Sequence, residues 1–253
     1  MKNVLIIGAT SAIARACCRE WLVAEPGGKG EPVSFFLVAR SADKLEQTAA
    51  DLLARGARSA TCHVLDLADI DAHAQVLESA HAALGSIDVA LLAHGTLPDQ
   101  QACEDDAGLA LREFAINGTS FIALLTHLGN RFELQGHGTL AVITSVAGDR
   151  GRPSNYLYGS AKAAVSTFCE GLRARLFKAG VQVMDIRPGF VDTPMTESLG
   201  LPRMLVATPE RVARRIVRGV ARRSDVLYVP AFWALILWTV RGIPRPIFKR
   251  LNL

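Results

Sequence analysis

Seven short runs of aliphatic and β-branched residues recur along the chain, at positions 4–7, 33–39, 60–65, 87–93, 139–144, 181–187 and 226–229. Between them, at roughly 12–24, 42–55, 69–84, 105–130, 154–179 and 208–221, apolar residues return every three to four positions. Short runs this apolar predict strands covered on both faces. Their alternation with helices predicts an α/β fold with a doubly wound parallel sheet. No internal repeat or low-complexity tract interrupts the pattern. A single domain is expected, with residues 1–230 holding the sheet and the functional site and 231–253 forming an apolar and basic extension of it. The Gly- and Pro-rich stretch 26–32 reads as a surface loop, and 148–155 as a loop between two motifs.

Composition narrows the class. Of 253 residues, 50% are hydrophobic and 21% charged, which excludes an intrinsically disordered chain. The apolar run at 231–240 has ten residues, short of the ~18 needed to cross a bilayer. Strand-like sequence begins at Val4, so no signal peptide is expected and the reading is cytoplasmic. Cys17, Cys18, Cys62, Cys103 and Cys169 lack C-x-x-C spacing and read as reduced thiols. His63, His73, His81, His127 and His137 lack ligand spacing, so no metal is expected. The net charge of +4 hides an asymmetry. From Leu201 onward, ten arginines and one lysine face Glu210 and Asp225, a net of +9, which leaves −5 on the first 200 residues. A basic end on an acidic body points to an anionic partner: nucleic acid, an acidic lipid surface or a phosphorylated substrate.

The strand at 4–7 runs into IGATSAIARA and then a helix. That is the position of a dinucleotide loop, where a helix N-terminus offers N–H groups and partial positive charge to a pyrophosphate. Gly8 is the one glycine retained there, with Ala12 and Ala14 in the other two places. A tight strand-to-helix turn is the alternative reading. The second strand ends LVAR, with Arg40 and no acidic residue. Arginine suits a ribose 2′-phosphate where an acid would suit a 2′-hydroxyl, so NADP(H) is expected over NAD(H). Thr10 and Ser11 add hydroxyl donors.

After the strand at 139–144 come Ser145, Tyr158 thirteen residues on, and then Lys162. Tyr and Lys at i and i+4 share one helix face. A cation near the phenol favours phenolate. Drawing a phenol from near 10 towards neutrality takes about 3–4 kcal/mol of differential stabilisation. Ser145 is expected to hold a carbonyl oxygen while Tyr158 exchanges its proton and hydride moves between the carbonyl carbon and a nicotinamide. Asn117 lies in the preceding helix.

These pieces together resemble the short-chain dehydrogenase/reductase family from Val4 to about Thr193. The match comprises IGATSAIA, Asp66-Leu67, AHG at 93–95, Asn117, Ser145, Tyr158, Lys162 and RPGFVDT from Arg187. The resemblance implies a Rossmann-type fold, an enzyme acting on CH–OH/C=O groups, and a homodimer or homotetramer. It also implies that Gly8, Thr10, Ser11 and Ile13 cradle the cofactor and that Asp66 and Leu67 flank the adenine. Ala93, His94 and Gly95 would pass beneath the cofactor, and Pro188, Gly189, Val191 and Thr193 would line the nicotinamide. Asn117 would complete a proton relay with Lys162. The sequence departs from the family in its alanine-substituted glycine loop and in Ala93-His94-Gly95, where Asn-Ala-Gly is usual. His94 reads equally as a cofactor contact or as strand-end packing.

The last stretch, AFWALILWTVRGIPRPIFKRLNL, carries apolar residues almost all round 231–240, followed by Arg241, Arg245, Lys249 and Arg250. It reads either as a helix closing a pocket or an oligomer contact, or as a peripheral anchor on the inner face of a membrane. With SVAGDRGRPSNYLYGSAKAA it resembles the decaprenylphosphoryl-2-keto-ribose reductases of cell-wall arabinose synthesis, which implies a polyprenyl-phosphate pentose as the ketone or alcohol substrate. A reductase of soluble ketones, steroids or acyl chains stays open, as does a non-catalytic NADP-binding regulator. A nucleic-acid role is disfavoured because no recognition module accompanies the charge. Substrate-contacting residues are expected in loops 95–105 and 194–208.

Overall fold

The computed structural model describes residues 1–23, 32–196 and 205–251. Most of the 26–32 loop reading and the middle of the 194–208 loop lie outside the described residues. Seven parallel strands form one sheet in the order β3-β2-β1-β4-β5-β6-β9. They are β1 (Lys2–Ile7), β2 (Val33–Ala39), β3 (Ser59–Val64), β4 (Val89–Leu92), β5 (Thr139–Ile143), β6 (Gln182–Pro188) and β9 (Val226–Val229). A two-stranded ribbon, β7 (Phe190–Val191) with β8 (Val206–Ala207), stands apart.

The pleat explains the continuous apolar runs. Val4 and Ile6 of β1 enter one buried cluster, while Leu5 and Ile7 enter another on the opposite face. Helices α1 (Ala12–Val23), α2 (Ala42–Ala54) and α8 (Pro209–Ala221) cover the first face. Helices α3 (His73–Leu84), α6 (Ser120–Gln135) and α7 (Tyr156–Leu176) cover the second. The strand order reverses between β1 and β4, where Ile7 pairs with Leu92, and the carboxyl ends of these strands form the crevice where such sheets bind ligands.

Each expected strand is present. The helix expected at 105–130 is instead three segments: α4 (Gln100–Asp105), α5 (Ala107–Phe114) and, beyond a π-helical turn at Ala115–Thr119, α6. Local chemistry explains the first break. Asp99 and Asp106 each accept from the backbone three residues on, at Ala102 (3.1 Å) and Leu109 (3.0 Å), so each starts a new helix. The chain closes with α9 (Phe232–Gly242) and α10 (Arg245–Phe248). One face of α9 is buried through Trp233 and Leu237 against Val146, while Leu235 and Trp238 on its other face are 68% and 75% exposed.

Candidate active site

The cofactor end starts from Gly8, whose φ of +86° suits glycine. A Cβ there would stand 2.6 Å from the backbone nitrogen of His94, so the two strand ends approach as closely as backbone allows. The amides of Gly8 and Ala9 donate to Val38, at 2.8 and 2.9 Å, and that of Ser11 to Gly8. The first amides of α1, including that of Ile13, have no acceptor within the helix, and its first turn carries no acid. Thr10, Ser11 and Ile13 are all partly exposed around this turn. The cradle therefore fits an anionic dinucleotide. Arg40 is exposed at the end of β2, directly before Ser41, which caps α2. Asp66 is exposed past β3 and Leu67 is buried. Ala93, His94 and Gly95 follow β4 directly, beside Gly8.

His94 turns its side chain towards α6. The ring stacks on Phe121 (3.8 Å, 14°), and Nε2 lies 2.9 Å from Ser120 Oγ. Ser120 donates its own proton to the Ile116 carbonyl (2.8 Å), so His94 Nε2 must be the donor to Ser120. Burial, with the Lys162 cation adding to it, pushes this imidazole well below its usual range, and the ring is neutral. The packing role is the one the geometry provides.

Asn117 sits in the π-helical turn, 1% exposed. It accepts from the Thr96 amide (3.0 Å) and donates to Thr96 Oγ1 (2.9 Å) and to the Glu113 carbonyl (3.1 Å). Thr96 in turn donates to the Glu113 carboxylate. The extra residue of a π turn re-aims one side chain, which is a recurrent device at functional sites.

Ser145 lies two residues past β5 and accepts from the Ala147 amide (3.1 Å), starting a short 3-10 turn at Val146–Asp149. That turn lies directly on α7. A Cβ on Gly148 would meet the Ala163 nitrogen at 2.8 Å, and one on Gly159 the Ala147 carbonyl at 2.7 Å. This backbone contact brings Ser145 beside Tyr158, where its hydroxyl favours the ionised phenol. Lys162, one turn further along α7, is 2% exposed. Its Nζ donates to the Ile143 carbonyl at 3.5 Å, lies 4.1 Å above the Phe121 ring, and stands 5.7 Å from the centre of the Tyr158 ring.

The electrostatics differ from the sequence expectation of a lowered phenol. Burial pushes Tyr158 up to about 12, with the Ser145 hydroxyl opposing. Burial also draws Lys162 down to about 7, with Asp185 opposing. The reason is competition for solvation. A lysine stripped of water is too weak a cation, and too far from the phenolic ring, to offset the cost of a buried phenolate.

Pro188 ends β6, and the amide of Gly189 donates to Val229 (2.9 Å), with Trp233 packed over it. Val191 pairs with Ala207 in the ribbon, and the amide of Thr193 donates to Thr196 Oγ1 (3.3 Å). These residues form the wall on the β6 side.

A charged network beneath the site was not anticipated. Asp185 is 1% exposed and accepts from Thr144 Oγ1 at 2.5 Å and from Arg187 at 2.7 Å. Arg187 also bonds Asp149 at 2.9 Å, whose other oxygen accepts from Tyr228 Oη at 2.7 Å. Asp185 and Arg187 are two apart on a strand and so share a face, a spacing visible in the sequence. The partners from β9 and the 3-10 turn were not.

A match to the short chain dehydrogenase family spans residues 2–203. The chain is 38% identical over 253 residues to an uncharacterized oxidoreductase from the mprA 5′ region of Streptomyces coelicolor, covering 99% of this chain and 96% of that protein. It is 40% identical over 220 residues to an uncharacterized oxidoreductase of Mycobacterium tuberculosis, covering 86% and 87%. A solved short chain dehydrogenase/reductase family protein superposes with a TM-score of 0.74 at 26% identity, covering 90% of this chain and 94% of the other. With the fold and the Ser145-Tyr158-Lys162 grouping, these matches make the chain a member of the short-chain dehydrogenase/reductase family and an NAD(P)-dependent oxidoreductase.

Proposed function

We propose that this protein is an NADPH-dependent ketone reductase in which Tyr158 is the proton donor. The observation that carries the reading is Ser145 beside Tyr158 with Lys162 one helical turn further along the same helix. When bound, the reduced dinucleotide supplies the hydride. Ser145 holds the carbonyl oxygen of the substrate through its hydroxyl. A phenol held near 12 stays protonated at neutral pH, which suits it to donate as negative charge grows on that oxygen. Lys162, near 7, takes up and gives back protons at working pH and so returns one to Tyr158. Asn117, tied to Thr96 and Glu113, is the outward end of that relay. Arg40, with no acid beside it, favours the 2′-phosphate of NADPH.

For the substrate we favour an amphiphile with an anionic group, such as a polyprenyl-phosphate pentose ketone, met at a membrane surface. The support is the exposed Leu235 and Trp238 face of α9, continued by Arg241, Arg245, Lys249 and Arg250. No helix among the described residues is long and apolar enough to cross a membrane, so contact would be peripheral. The test is Tyr158→Phe, assayed by NADPH oxidation over a panel of soluble ketones and prenyl-phosphate ketoses. Retained NADPH binding with turnover down at least a hundredfold supports the reading. Near wild-type turnover on each accepted ketone overturns it.

A further inference from the structure

The segment joining Ser145 to Tyr158 carries two arginines in opposite circumstances. Arg150 is committed to the C-terminal helices: it donates to the carbonyls of Val240 and Arg241 and lies 3.6 Å over the Phe248 ring. Arg152 is half-buried, has no acid in ion-pair reach among the described residues, and has its Nε sealed from solvent without an acceptor. The carboxylate nearest in sequence, Asp149, has both oxygens taken, by Arg187 at 2.9 Å and by Tyr228 at 2.7 Å. Burial lowers the pKa of Arg152 against the pull of Asp149, so its surroundings do not neutralise it.

Two further polar atoms are in the same condition, one on this segment and one on α9. Asn155, whose amide donates to the Arg152 carbonyl at 3.1 Å, holds a sealed Oδ1 with no donor. Trp233, 5% exposed and clustered with Val146, holds a sealed indole N–H with no acceptor. Buried polar groups in folded proteins are almost always paired, so the orphans on Arg152 and Asn155, six and three residues before Tyr158, mark a segment where a ligand would complete them. Helix α7, 21 residues long, begins here with no acid in its first turn and no side-chain cap, adding partial positive charge.

We propose that Arg152 and Asn155 form the head-group site of the substrate, which carries a phosphate or carboxylate on Arg152 beside a hydroxyl that donates to Asn155 Oδ1. A guanidinium demands an anionic acceptor and an amide oxygen demands a donor, so the two together select a hydroxylated anion over a plain ketone or a steroid. This rests on the reductase reading and adds the substrate class.

The experiment uses full-length enzyme saturated with NADPH, so that the phosphate sites of the cofactor are filled. Ribose 5-phosphate, ribose and farnesyl phosphate are titrated by calorimetry into the wild type, Arg152→Gln and Arg152→Lys. Ribose 5-phosphate is expected to bind the wild type at least tenfold more tightly than ribose. Arg152→Gln should weaken the sugar phosphate at least tenfold and ribose less than threefold, with Arg152→Lys in between. Tighter binding of farnesyl phosphate than of ribose 5-phosphate assigns the anion to a lipid carrier, and the reverse to a soluble sugar phosphate. Equal binding of ribose and ribose 5-phosphate, or an undiminished affinity in Arg152→Gln, overturns the head-group site. Absence of NADPH oxidation with every ketone would count against the reductase reading instead.

Discussion

Replacing Lys162 by methionine should make the folded protein more stable at neutral pH while abolishing turnover. The ammonium is 2% exposed, and its contacts are one long hydrogen bond and an aromatic face. His94, Tyr158 and Asp185 are the titratable groups that face it, and only Asp185 favours the cation. A base whose pKa drops from 10.5 to about 7 on folding binds fewer protons in the native state than in the unfolded chain. Stability therefore rises with pH across that window, and the penalty is complete below it. At ~1.4 kcal/mol per pH unit, the penalty is about 5 kcal/mol at pH 7 and below, about 2 kcal/mol at pH 9, and gone above pH 10.5. Methionine keeps the alkyl packing on Phe121 and removes the charge. Urea unfolding of both proteins without cofactor, at pH 6, 7, 8 and 9, reads the difference directly. The variant should be the more stable, by a constant margin from pH 6 to 7 and by a margin shrinking about 3 kcal/mol from pH 7 to 9. A variant less stable than the wild type at pH 7, or a margin that does not shrink, would refute the claim that lysine is held there against its solvation.

Two other perturbations test the frame of the site. Arg187→Met leaves the carboxylates of Asp185 and Asp149, with side chains 1% and 3% exposed, without their shared cation. Breaking a buried pair this way costs about 3–5 kcal/mol, or a melting point lower by roughly 6–20 °C, and a fall under ~3 °C in thermal denaturation would show the network to be dispensable. Gly8→Ala places a methyl 2.6 Å from the His94 nitrogen at a φ of +86°, so strain of ~1–2 kcal/mol adds to overpacking of ~1–3 kcal/mol. The variant should lose most of the thermal protection that NADPH gives the wild type, and full protection would contradict the close approach of the two strand ends.

The sheet was legible because each strand announces itself as an unalternating apolar run, and the pleat sends successive residues into two cores. Ser145, Tyr158 and Lys162 were legible for a similar reason: their spacing is set by a helix turn and by one loop of fixed length. The phenol was misread because spacing reports proximity and says nothing of solvation. Asn117 could be named, but the π turn that aims it depends on how the 100–135 segment breaks, which two aspartate caps begin. Arg152 lies in the 148–155 loop, and its sequence neighbourhood does not distinguish it from Arg150. It became distinctive only once Asp149 was seen to be occupied by Arg187 and Tyr228. The tail shows the same limit. Apolar residues almost all round 231–240 left a pocket-closing helix, an oligomer contact and a peripheral anchor open, and the fold buries Trp233 and Leu237 while leaving Leu235 and Trp238 in water.

Charge balance links the frame to the chemistry. Asp185 and Asp149 carry two negative charges beneath the site, and Arg187 supplies one positive. The second positive charge that would balance them is Lys162, on the helix packed over β6. Burial lowers the pKa of that amine, and the Asp185 carboxylate opposes it. The result is a lysine near 7, at the point where it gains and loses a proton with equal ease. Asp185 should therefore act as a positioning residue for the relay. Asp185→Asn removes the counter-charge and keeps an oxygen that can accept from Thr144. The lysine pKa should then fall further, so that the alkaline limb of the kcat profile, where Lys162 has lost the proton it returns to Tyr158, moves to lower pH by about one unit. A purely structural role for Asp185 would lower kcat or stability without moving that limb, and an unshifted profile in a folded variant would separate the two.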